Sequence, residues 1–441
     1  MSKPFSTVPR SPPSPKQSAL AQTANWILDP LHFLETTQRQ LGDVFTTRVV
    51  GWETLLLVSD PTLIREIFST DPAMLQAGKA NDLMGPVLGP HSVFLLDGME
   101  HRQVRRILVN AFSLEASRNA ADFSARRAAE LASEMADGQF HDAHRFFSEV
   151  ALATMLNAVL GISERSSVTE YAKQFHLVLG GLSTYLAYLR FLQKDFGFGS
   201  PGWWIRTKMG ALYRLIERDL ASSLHRDNPP PAAQIHAALR SADIKHADLT
   251  ARDQIVSLVV AGHDTVASAL SWSLFWLLKN PTIISAIRTE LASPTVPAIE
   301  NTPLLDAVCH EALRLVPTVE IVSRQAMANI QLGEFVVPKG TLVSPCIYLL
   351  HRNETLYPEP DKFDPSRFLN RQFAAHEYIP FGGGLRRCLG SHLGLLEMKN
   401  VLATLLLNFD FEPIRIDRVK AQRRNVTIAP SPNFRVRFKR R

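Results

Sequence analysis

The chain has 441 residues, which allows one large domain or several average ones, and its 46% hydrophobic content supplies ample material for a core. Three cysteines at wide spacing argue against a disulfide framework and indicate a reducing compartment, so the cytoplasm is the expected location. The net charge is +6, but no basic stripe alternates with aromatic residues. This pattern favours docking of an acidic protein, or a merely solvated basic surface, over nucleic-acid binding.

The N-terminal 17 residues include five prolines and lack the apolar segment of a signal peptide or membrane anchor. We therefore expect a flexible proline-rich arm over residues 1–17 and a single large domain over residues 18–441. Periodicity and capping signals predict the first elements of this domain. These are a helix over Trp26–Gln40, strands over Val44–Val50 and Thr54–Ser59, and a helix with Asp60 as its cap and Pro61 at its first position.

The segment 78–96 combines glycine and proline punctuation with many apolar side chains, which are costly to expose unless another part covers them. Beyond it, His101 and Arg105 are four residues apart on a predicted helix, so both project from one face and can grip a single anionic group. An exposed basic helix is the alternative interpretation. Arg102 and Arg106 face elsewhere and are candidates for docking of a partner protein.

Several helices are expected between residues 115 and 226, with breaks at Gly138, at Gly161 and across residues 196–202. The segment 186–192 is rich in aromatic and aliphatic side chains and precedes a glycine-rich stretch. Core packing explains this composition, and a mobile lid above an apolar ligand is the second interpretation.

A long apolar helix is predicted over Gln254–Asn280. Its length also fits a membrane span, but His263 and Asp264 in its middle oppose that alternative. Gly262 weakens the helix and leaves room for a flat cofactor and a small ligand. Asp264 and Thr265 then offer an acid and a hydroxyl group beside that gap.

Glu311 and Arg314 lie three residues apart on a further predicted helix, where they can pair, and Arg367 follows in a proline-pinned turn. The other elements predicted in this half of the chain are a strand over residues 318–324, a hairpin over residues 336–343 and a late turn over residues 425–430.

The most informative stretch is Phe381–Gly390, in which three glycines precede Arg386 and the thiol of Cys388. Glycines permit positive φ and close approach of the backbone to a flat ligand. An apolar helical run follows, and its N-terminal N–H groups are expected to lower the pKa of the thiol and suit it to bind iron. Arg386 can reach an anionic rim such as a haem propionate. A glycine-rich turn with a structural cysteine is the alternative.

The pattern Phe-x-x-Gly-x-Arg-x-Cys-x-Gly resembles that of the cytochrome P-450 family of haem-thiolate monooxygenases. The residues Ala261-Gly262-His263-Asp264-Thr265 resemble the oxygen-activation signature of the same family. The resemblance implies a mainly α fold with small β-sheets in a single large domain. It also implies haem b held by the thiolate of Cys388.

The resemblance implies a role for each matching residue. The expected cofactor-binding residues are His101, Arg105, Ala261, Gly262, Arg324, Phe381, Gly384, Arg386, Cys388 and Gly390. Asp264 and Thr265 are expected to be catalytic by delivering protons. Val319, Glu320, Ile321 and Val322 are expected in the substrate pocket, and Glu311, Arg314 and Arg367 in a buried structural network. Segment 78–96 corresponds to the loop that roofs the substrate pocket, and segment 186–192 to the family's lid.

The activity implied is hydroxylation or epoxidation of a hydrophobic small molecule such as a terpenoid, steroid or fatty acid. Electrons are expected from a separate donor, a ferredoxin or flavodoxin with an NAD(P)H reductase, and the protein is expected to be a monomer without a membrane anchor. Two alternatives stay open, a haem-thiolate isomerase or dehydratase that needs no electrons, and a haem-binding sensor. Glu320 replaces a commonly apolar position. It is expected either to face solvent or, if it points inward, to favour a substrate with a hydroxyl or amine.

Overall fold

The computed structural model describes residues 10–179, 193–292, 299 and 302–441. The segment 186–192 and the first nine residues of the predicted arm lie outside the described residues. The helices of the described part are α1 (Ala19–Leu28), α2 (Pro30–Leu41), α3 (Pro61–Ser69), α4 (Ala77–Ala80), α5 (Gly85–Leu88), α6 (Gly98–Ala111), α7 (Leu114–Glu134), α8 (Ala143–Leu160), α9 (Arg165–Leu179), α10 (Pro201–Ser223), α11 (Pro231–Ser241), α12 (Ala247–Lys279), α13 (Pro281–Leu291), α14 (Pro303–Leu315), α15 (Ile347–Leu350), α16 (Ser366–Asn370) and α17 (Ser391–Asn408).

Short strands complete the fold. They are β1 (Val44–Thr47), β2 (Leu55–Val58), β3 (Leu75–Gln76), β4 (His141–Asp142), β5 (Arg324–Ala326), β6 (Ile330–Leu332), β7 (Phe335–Val337), β8 (Leu342–Pro345), β9 (Phe409–Ile414), β10 (Ala421–Arg424), β11 (Thr427–Pro430) and β12 (Arg435–Arg440). One five-stranded sheet has the order β1-β2-β8-β5-β3, and the other strands form β4-β12-β9 and the hairpins β6-β7 and β10-β11. A mainly α fold with small sheets is therefore confirmed.

The helix α12 occupies the centre of the molecule, because the two largest apolar clusters share it. Its C-terminal half, with Leu270 and Leu274, packs in the cluster that includes α14 and α17. Its N-terminal half, with Ile255 and Val259, packs in the cluster that includes α9, α10 and α11. Leu270, Ile255 and their neighbours are fully buried, so most faces of α12 are covered by protein.

The predicted helix over Trp26–Gln40 is wrong in one respect, since the chain forms two helices there. Asp29 has an extended conformation with φ −146° and ψ 71°, and Pro30 begins α2. Proline lacks an N–H group and its ring clashes with the preceding turn, so it starts a helix more readily than it continues one. The predicted cap of the next helix is confirmed, because Asp60 Oδ1 accepts a hydrogen bond of 2.8 Å from the Leu63 N–H.

The central helix begins at Ala247, seven residues before the predicted start. Its first two turns are polar, so the apolar run alone could not find them. Among the described residues, α12 is the one unbroken helix that is long and apolar enough to cross a membrane, and 72% of its apolar window is buried inside the protein.

Two predictions about β-structure are wrong. Of the predicted strand 318–324, only Arg324 lies in a strand, β5, although Ile321 forms an isolated bridge with Cys346. The predicted hairpin over residues 336–343 does not form, because β7 pairs with β6 while β8 pairs with β2 and β5. Strand partners far apart in sequence leave no local signal, and the turn residues at 338–340 resembled a hairpin loop.

Candidate functional site

The cysteine loop, residues 381–390, folds back on itself before α17. The Cys388 N–H donates to the Phe381 carbonyl over 3.0 Å, and Gly382 and Gly384 have φ of +65° and +63°. A Cβ at Gly383 would lie 2.2 Å from Cε2 of Phe68 in α3. The close approach made possible at Gly383 is therefore to Phe68, an aromatic neighbour that the sequence did not reveal. Apart from Gly390 and its chain neighbours, no atom of the described residues lies within 4 Å of a Cβ built on Gly390, which leaves room there for a ligand.

The thiol of Cys388 lies in a concave site. Cys388 has an exposed surface, yet protein atoms surround its sulfur so closely that burial raises the pKa of the thiol. A hydrogen bond from the backbone of Gly390 and the charges of Arg105 and Arg387 lower the pKa, but burial outweighs them. The expectation of a lowered thiol pKa is thus wrong for the chain without a metal. An accessible sulfur inside the molecule is suited to binding a metal, because metal binding itself drives off the proton.

Basic side chains converge on the cysteine loop. Arg105 Nη2 donates to the Arg387 carbonyl over 2.6 Å, and Arg324 Nη2 donates to the Gly383 carbonyl over 3.0 Å. His101 is buried, and burial together with the charges of Arg386, Arg105 and Arg102 lowers its pKa to about 3.

These basic groups repel one another. Burial and the charge of Arg386 lower the pKa of Arg324 to about 10. Burial lowers the pKa of Arg386 as well, and the charge of Arg105 acts in the same direction. Mutual repulsion of buried cations is relieved by an anion, so this group fits the propionates of a haem.

Arg386 contacts the segment that precedes α6, and its expected role at a propionate stays a prediction. Its guanidinium donates to the Val93 carbonyl over 3.0 Å, to the Leu96 carbonyl and to the carboxylate of Asp97. The residue that accepts this bond, Asp97, was not singled out by the sequence, since an acid before a helix is ordinarily its cap.

The middle of α12 presents one open face. Ala261, Gly262 and Thr265 are partly exposed, while the flanking turns of the helix are buried. The Thr265 hydroxyl donates to the Ala261 carbonyl over 2.6 Å. A Cβ at Gly262, however, would lie 2.4 Å from Sδ of Met155 in α8. The glycine therefore accommodates Met155 on one side, and its expected role beside the cofactor stays a prediction.

Asp264 is buried beside Thr265 and contacts the tip of the β10-β11 hairpin. Its carboxylate accepts a 3.3 Å hydrogen bond from Asn425 Nδ2 and lies 3.9 Å from Arg424 Nε. The sequence marked the turn at 425–430 but gave no sign that it holds this acid. His263 lies on another face of the helix, with its Nε2 2.7 Å from the Ser148 hydroxyl.

The structure brings Glu311, Arg314 and Arg367 together. Arg314 donates to both carboxylate oxygens of Glu311 over 2.7 and 2.9 Å, and Arg367 Nε lies 3.4 Å from Glu311 Oε1. Arg314 is fully buried and also donates to the carbonyls of His351 and Pro360, each over 2.8 Å. Every charge in this network has a partner.

The segment 319–322 combines exposed aliphatic residues with one buried acid. Val319, Ile321 and Val322 are partly exposed, whereas Glu320 is 2% exposed and its Oε1 accepts a hydrogen bond from Arg423. The expectation that Glu320 faces solvent is therefore wrong. Its inward-pointing carboxylate already has an arginine partner, which the sequence did not indicate.

The cysteine loop and the open face of α12 belong to neighbouring elements. A Cβ at Gly394, in the first turn of α17, would lie 4.0 Å from Val266 of α12. An accessible thiol, buried cations without enough anions and an open helix face with a hydroxyl therefore occupy one region. This donor set fits haem b, with a thiolate for the iron and cations for the propionates.

Comparisons with known proteins agree with this arrangement. Residues 12–438 match the family described as Cytochrome P450. The chain is 31% identical over 439 residues to "Putative cytochrome P450 135B1" of Mycobacterium bovis, covering 97% of this chain and 91% of that protein. It is 29% identical to "Putative cytochrome P450 135A1" of Mycobacterium tuberculosis, covering 97% of this chain and 95% of that protein.

Solved structures show the same fold. The structure titled "Retinoic acid bound cyanobacterial CYP120A1" has a TM-score of 0.86 and 25% identity, covering 98% of this chain and 100% of that chain. The heme domain of cytochrome P450DA has a TM-score of 0.84 at 21% identity, covering 98% of both chains. Together with the family match, these findings show that the chain belongs to the cytochrome P450 family, whose members are haem monooxygenases that bind haem b through a cysteine thiolate.

Proposed function

We propose that the protein hydroxylates or epoxidises a hydrophobic small molecule, with Cys388 as the axial ligand of its haem. The observation that carries this assignment is the accessible sulfur of Cys388 among protein atoms, beside buried cations that repel one another. When bound, haem b with a thiolate ligand supplies the activation of dioxygen and the transfer of one oxygen atom to a C–H or C=C bond.

The residues around the thiol hold and orient the cofactor in this proposal. Arg105, Arg324 and Arg386 bind the propionates through their charges, and the neutral His101 donates an imidazole N–H to them, because these side chains converge on the cysteine loop. Phe381 anchors the loop through its carbonyl, while the positive φ of Gly384 and the free space at Gly390 set its path. Ala261 contributes to the open face of α12.

Thr265 and Asp264 deliver protons to the site. The hydroxyl of Thr265 can exchange its bond to the Ala261 carbonyl for one to a water on the open face of α12. Asp264 is the neighbouring acid that passes a proton on, and Asn425 and Arg424 orient its carboxylate. In this proposal bulk water stays outside, since the flanking turns of α12 are buried.

An acidic electron donor docks on the surface formed by α6 and the cysteine loop. Arg102, Arg106 and Arg387 are exposed there, and Met99 and Leu385 add apolar surface with exposures of 65% and 53%. The bond from Arg105 to the Arg387 carbonyl joins the two elements directly. A ferredoxin or flavodoxin reduced by an NAD(P)H reductase has the complementary charge, and a cytoplasmic monomer suits this exchange.

The substrate is apolar. Val319, Ile321 and Val322 offer partly exposed aliphatic side chains, with Val322 Cγ1 3.7 Å from a Cβ built on Gly382 of the cysteine loop. One solved structure of the same fold is titled as bound to retinoic acid. A terpenoid, steroid or fatty acid is therefore proposed for this chain, and compounds of these classes are to be screened by the change in the visible spectrum of the haem-loaded protein.

Two measurements test the proposal. The reduced protein with carbon monoxide is expected to give the red-shifted band of thiolate ligation, and Cys388→Ser is expected to abolish that band while the fold remains. A histidine-type spectrum in the native protein, or an unchanged spectrum in the serine variant, contradicts the assignment. NAD(P)H, a ferredoxin and its reductase should then give product together with oxygen uptake. Product without electrons supports an isomerase or dehydratase, and no turnover with any donor supports a sensor.

A further inference from the structure

Four polar side chains meet in the packed interface between α8 and α12, and they are here called the polar seam. His263 Nε2 lies 2.7 Å from the Ser148 hydroxyl, and His144 Nε2 lies 3.3 Å from the Ser268 hydroxyl. The two histidines are 2% and 8% exposed, and Ser268 is fully buried. Polar groups inside an apolar interface cost stability unless all of them are paired, so their presence indicates a function.

The polar seam lies on the side of α12 away from the open face. Successive residues of an α-helix are rotated by about 100°, so His263 is turned roughly 200° from Ala261 of the open face. Phe175 of α9 covers the imidazole, with the two ring centroids 6.2 Å apart. Met155 of α8 fills the neighbouring space at Gly262. The contacts of His263 are therefore made with protein behind the helix and do not depend on a bound haem.

Asp264 connects the polar seam to the open face. It precedes Ser268 by four residues, so both side chains project from one side of α12. The Ser268 hydroxyl donates to the Thr427 hydroxyl over 3.4 Å, and Asn425 of the same hairpin donates to the Asp264 carboxylate. Burial lowers the pKa of both imidazoles, to about 4 for His144, and the charge of Asp264 opposes this change. Both histidines are therefore neutral at pH 7 and lie within electrostatic reach of the acid.

Each imidazole of the polar seam has one nitrogen without a partner. Nδ1 of His144 and Nδ1 of His263 are buried and make no hydrogen bond to any described residue. A neutral imidazole has one donor and one acceptor nitrogen, and leaving either unsatisfied inside a protein costs free energy. Ordered water satisfies such atoms where a site offers several polar partners. Ser148 is partly exposed, and 41% of the side chain of Arg424, beside Asp264, is exposed, so water has access from the surface.

We propose that ordered water occupies the polar seam and carries protons from solvent to Asp264, with His144 and His263 as the positioning residues that hold this water. Each water accepts a proton from the solvent side and gives one to the next, so one proton enters at the surface and one reaches the carboxylate. The imidazoles stay neutral throughout. The inference rests on the proposed monooxygenase, in which Asp264 then passes the proton to the water beside Thr265.

A crystal structure of the haem-loaded protein, at a resolution that shows ordered water, tests what the polar seam contains. Water is expected about 3 Å from Nδ1 of both histidines, with a continuous series of hydrogen bonds to the Asp264 carboxylate. His263→Phe should lose the water at that position, whereas His263→Gln should keep it, because an amide donates and accepts hydrogen bonds. A native structure in which either nitrogen lacks a water, or in which the series stops before Asp264, overturns the proposal.

Turnover of the haem-loaded protein in H2O and in D2O tests the transfer of protons. In His263→Phe the rate of product formation should fall about tenfold and the peroxide formed per NAD(P)H consumed should rise, because Asp264 regains its proton more slowly. The ratio of the rates in H2O and D2O should also increase, which a loss of packing alone would not cause. His263→Gln should restore most of the native values. Native rate, peroxide yield and isotope ratio in His263→Phe overturn the proposal.

Two serine variants complete this experiment. Ser148→Ala leaves the imidazole in place and should change the rate and the isotope ratio in the same direction as His263→Phe. If His263→Phe does not fold, native values in Ser148→Ala overturn the proposal. Ser271→Ala is the matched control and should leave all values native, since the hydroxyl of this buried serine donates to the Ala267 carbonyl within α12.

Failure of the polar seam can be told from failure of the proposed function. The crystal structure reports the water whether or not the protein turns over a substrate, and the carbon monoxide spectrum reports thiolate ligation alone. A hydrated seam in a protein without turnover overturns the monooxygenase and, with it, the transport of protons. Coupled turnover in a protein with a dry seam overturns the seam alone.

Discussion

Two groups of buried charges lie in this molecule and differ in how they are paired. Arg314 meets the carboxylate of Glu311 in a bidentate contact and satisfies backbone carbonyls with its remaining donors. Arg324 is almost as deeply buried, but burial and the charge of Arg386 lower its pKa, and no carboxylate offsets them among its described contacts. In the first group the charges are paired with each other and need no ligand. In the second group the cations need an anion from outside the group, and this difference separates a structural network from a binding site.

The largest expected loss of stability comes from breaking the ion pair between Glu311 and Arg314. Arg314→Leu removes the bidentate partner of the buried Glu311 and leaves it only Arg367 at 3.4 Å, which costs about 3–5 kcal/mol in the free energy of unfolding. Urea denaturation followed by circular dichroism measures this loss. The double variant Glu311→Leu with Arg314→Met removes both charges and should recover part of the stability. A double variant as unstable as the single one would show that the backbone bonds of Arg314, and not the ion pair, stabilise this region.

Removing a cation from the second group should weaken haem binding and leave the stability of the haem-free protein almost unchanged. Arg324→Gln removes a cation that other cations repel, so the free energy of unfolding of the haem-free protein should change by less than about 1 kcal/mol. Haem loss to apomyoglobin should become at least about tenfold faster, because a charge-assisted bond to the propionate is removed. The exposed Arg418 supplies the control, and Arg418→Gln should alter neither property. Loss of stability without faster haem loss would place Arg324 with the structural group.

A third test concerns the polar groups on the open face of α12. Thr265→Ala should divert electrons to peroxide, raising several-fold the peroxide formed per NAD(P)H consumed, because the hydroxyl no longer positions the proton-delivering water. Thr265→Ser keeps a hydroxyl group and should retain most of the coupling to product. The thiolate band with carbon monoxide should be normal in both variants. Fully coupled turnover in Thr265→Ala would remove Thr265 from proton delivery.

The sequence predicted the parts of this comparison that depend on short-range patterns. The cysteine loop, the acid and hydroxyl of α12 and the Glu311–Arg314 pair each lie within ten residues, so spacing alone identified them. The sequence did not indicate which side chains pack against two of the glycines, Phe68 at Gly383 and Met155 at Gly262, because these neighbours are distant in sequence. The space beside a glycine is filled by whichever residue packs there in the fold, and the spacing of residues along the chain does not reveal that residue.

The partners of charged side chains were equally hard to foresee. Arg386 and Asp97 are 289 residues apart, and Glu320 and Arg423 are 103 apart. The sequence did not indicate that Arg386, expected at a propionate, also meets a carboxylate of the same chain, because opposite charges pair according to the tertiary fold. The position of β8 was missed for a similar reason, since it pairs with the distant strand β2, while β7 pairs with its immediate neighbour β6.

A fourth test concerns Glu397 of α17, a buried acid that belongs to neither group. It has no basic partner among its described contacts, and the Ser124 hydroxyl donates to its Oε1 over 2.9 Å. Burial raises its pKa to about 8. The unfolded chain releases this proton near pH 4.5 and the folded protein keeps it to about pH 8, so the unfolded state binds fewer protons in between and stability falls as the pH rises.

Glu397→Gln should remove this slope, which is at most about 1.4 kcal/mol per pH unit between those two values. Urea denaturation between pH 5 and pH 8 should therefore show a flatter pH dependence for the variant than for the native protein. The exposed acid Glu115 at the start of α7 provides the control, because Glu115→Gln should leave the slope unchanged. An equal slope in Glu397→Gln would mean that the carboxyl is ionised in the folded protein and has a cation partner, as Glu311 has.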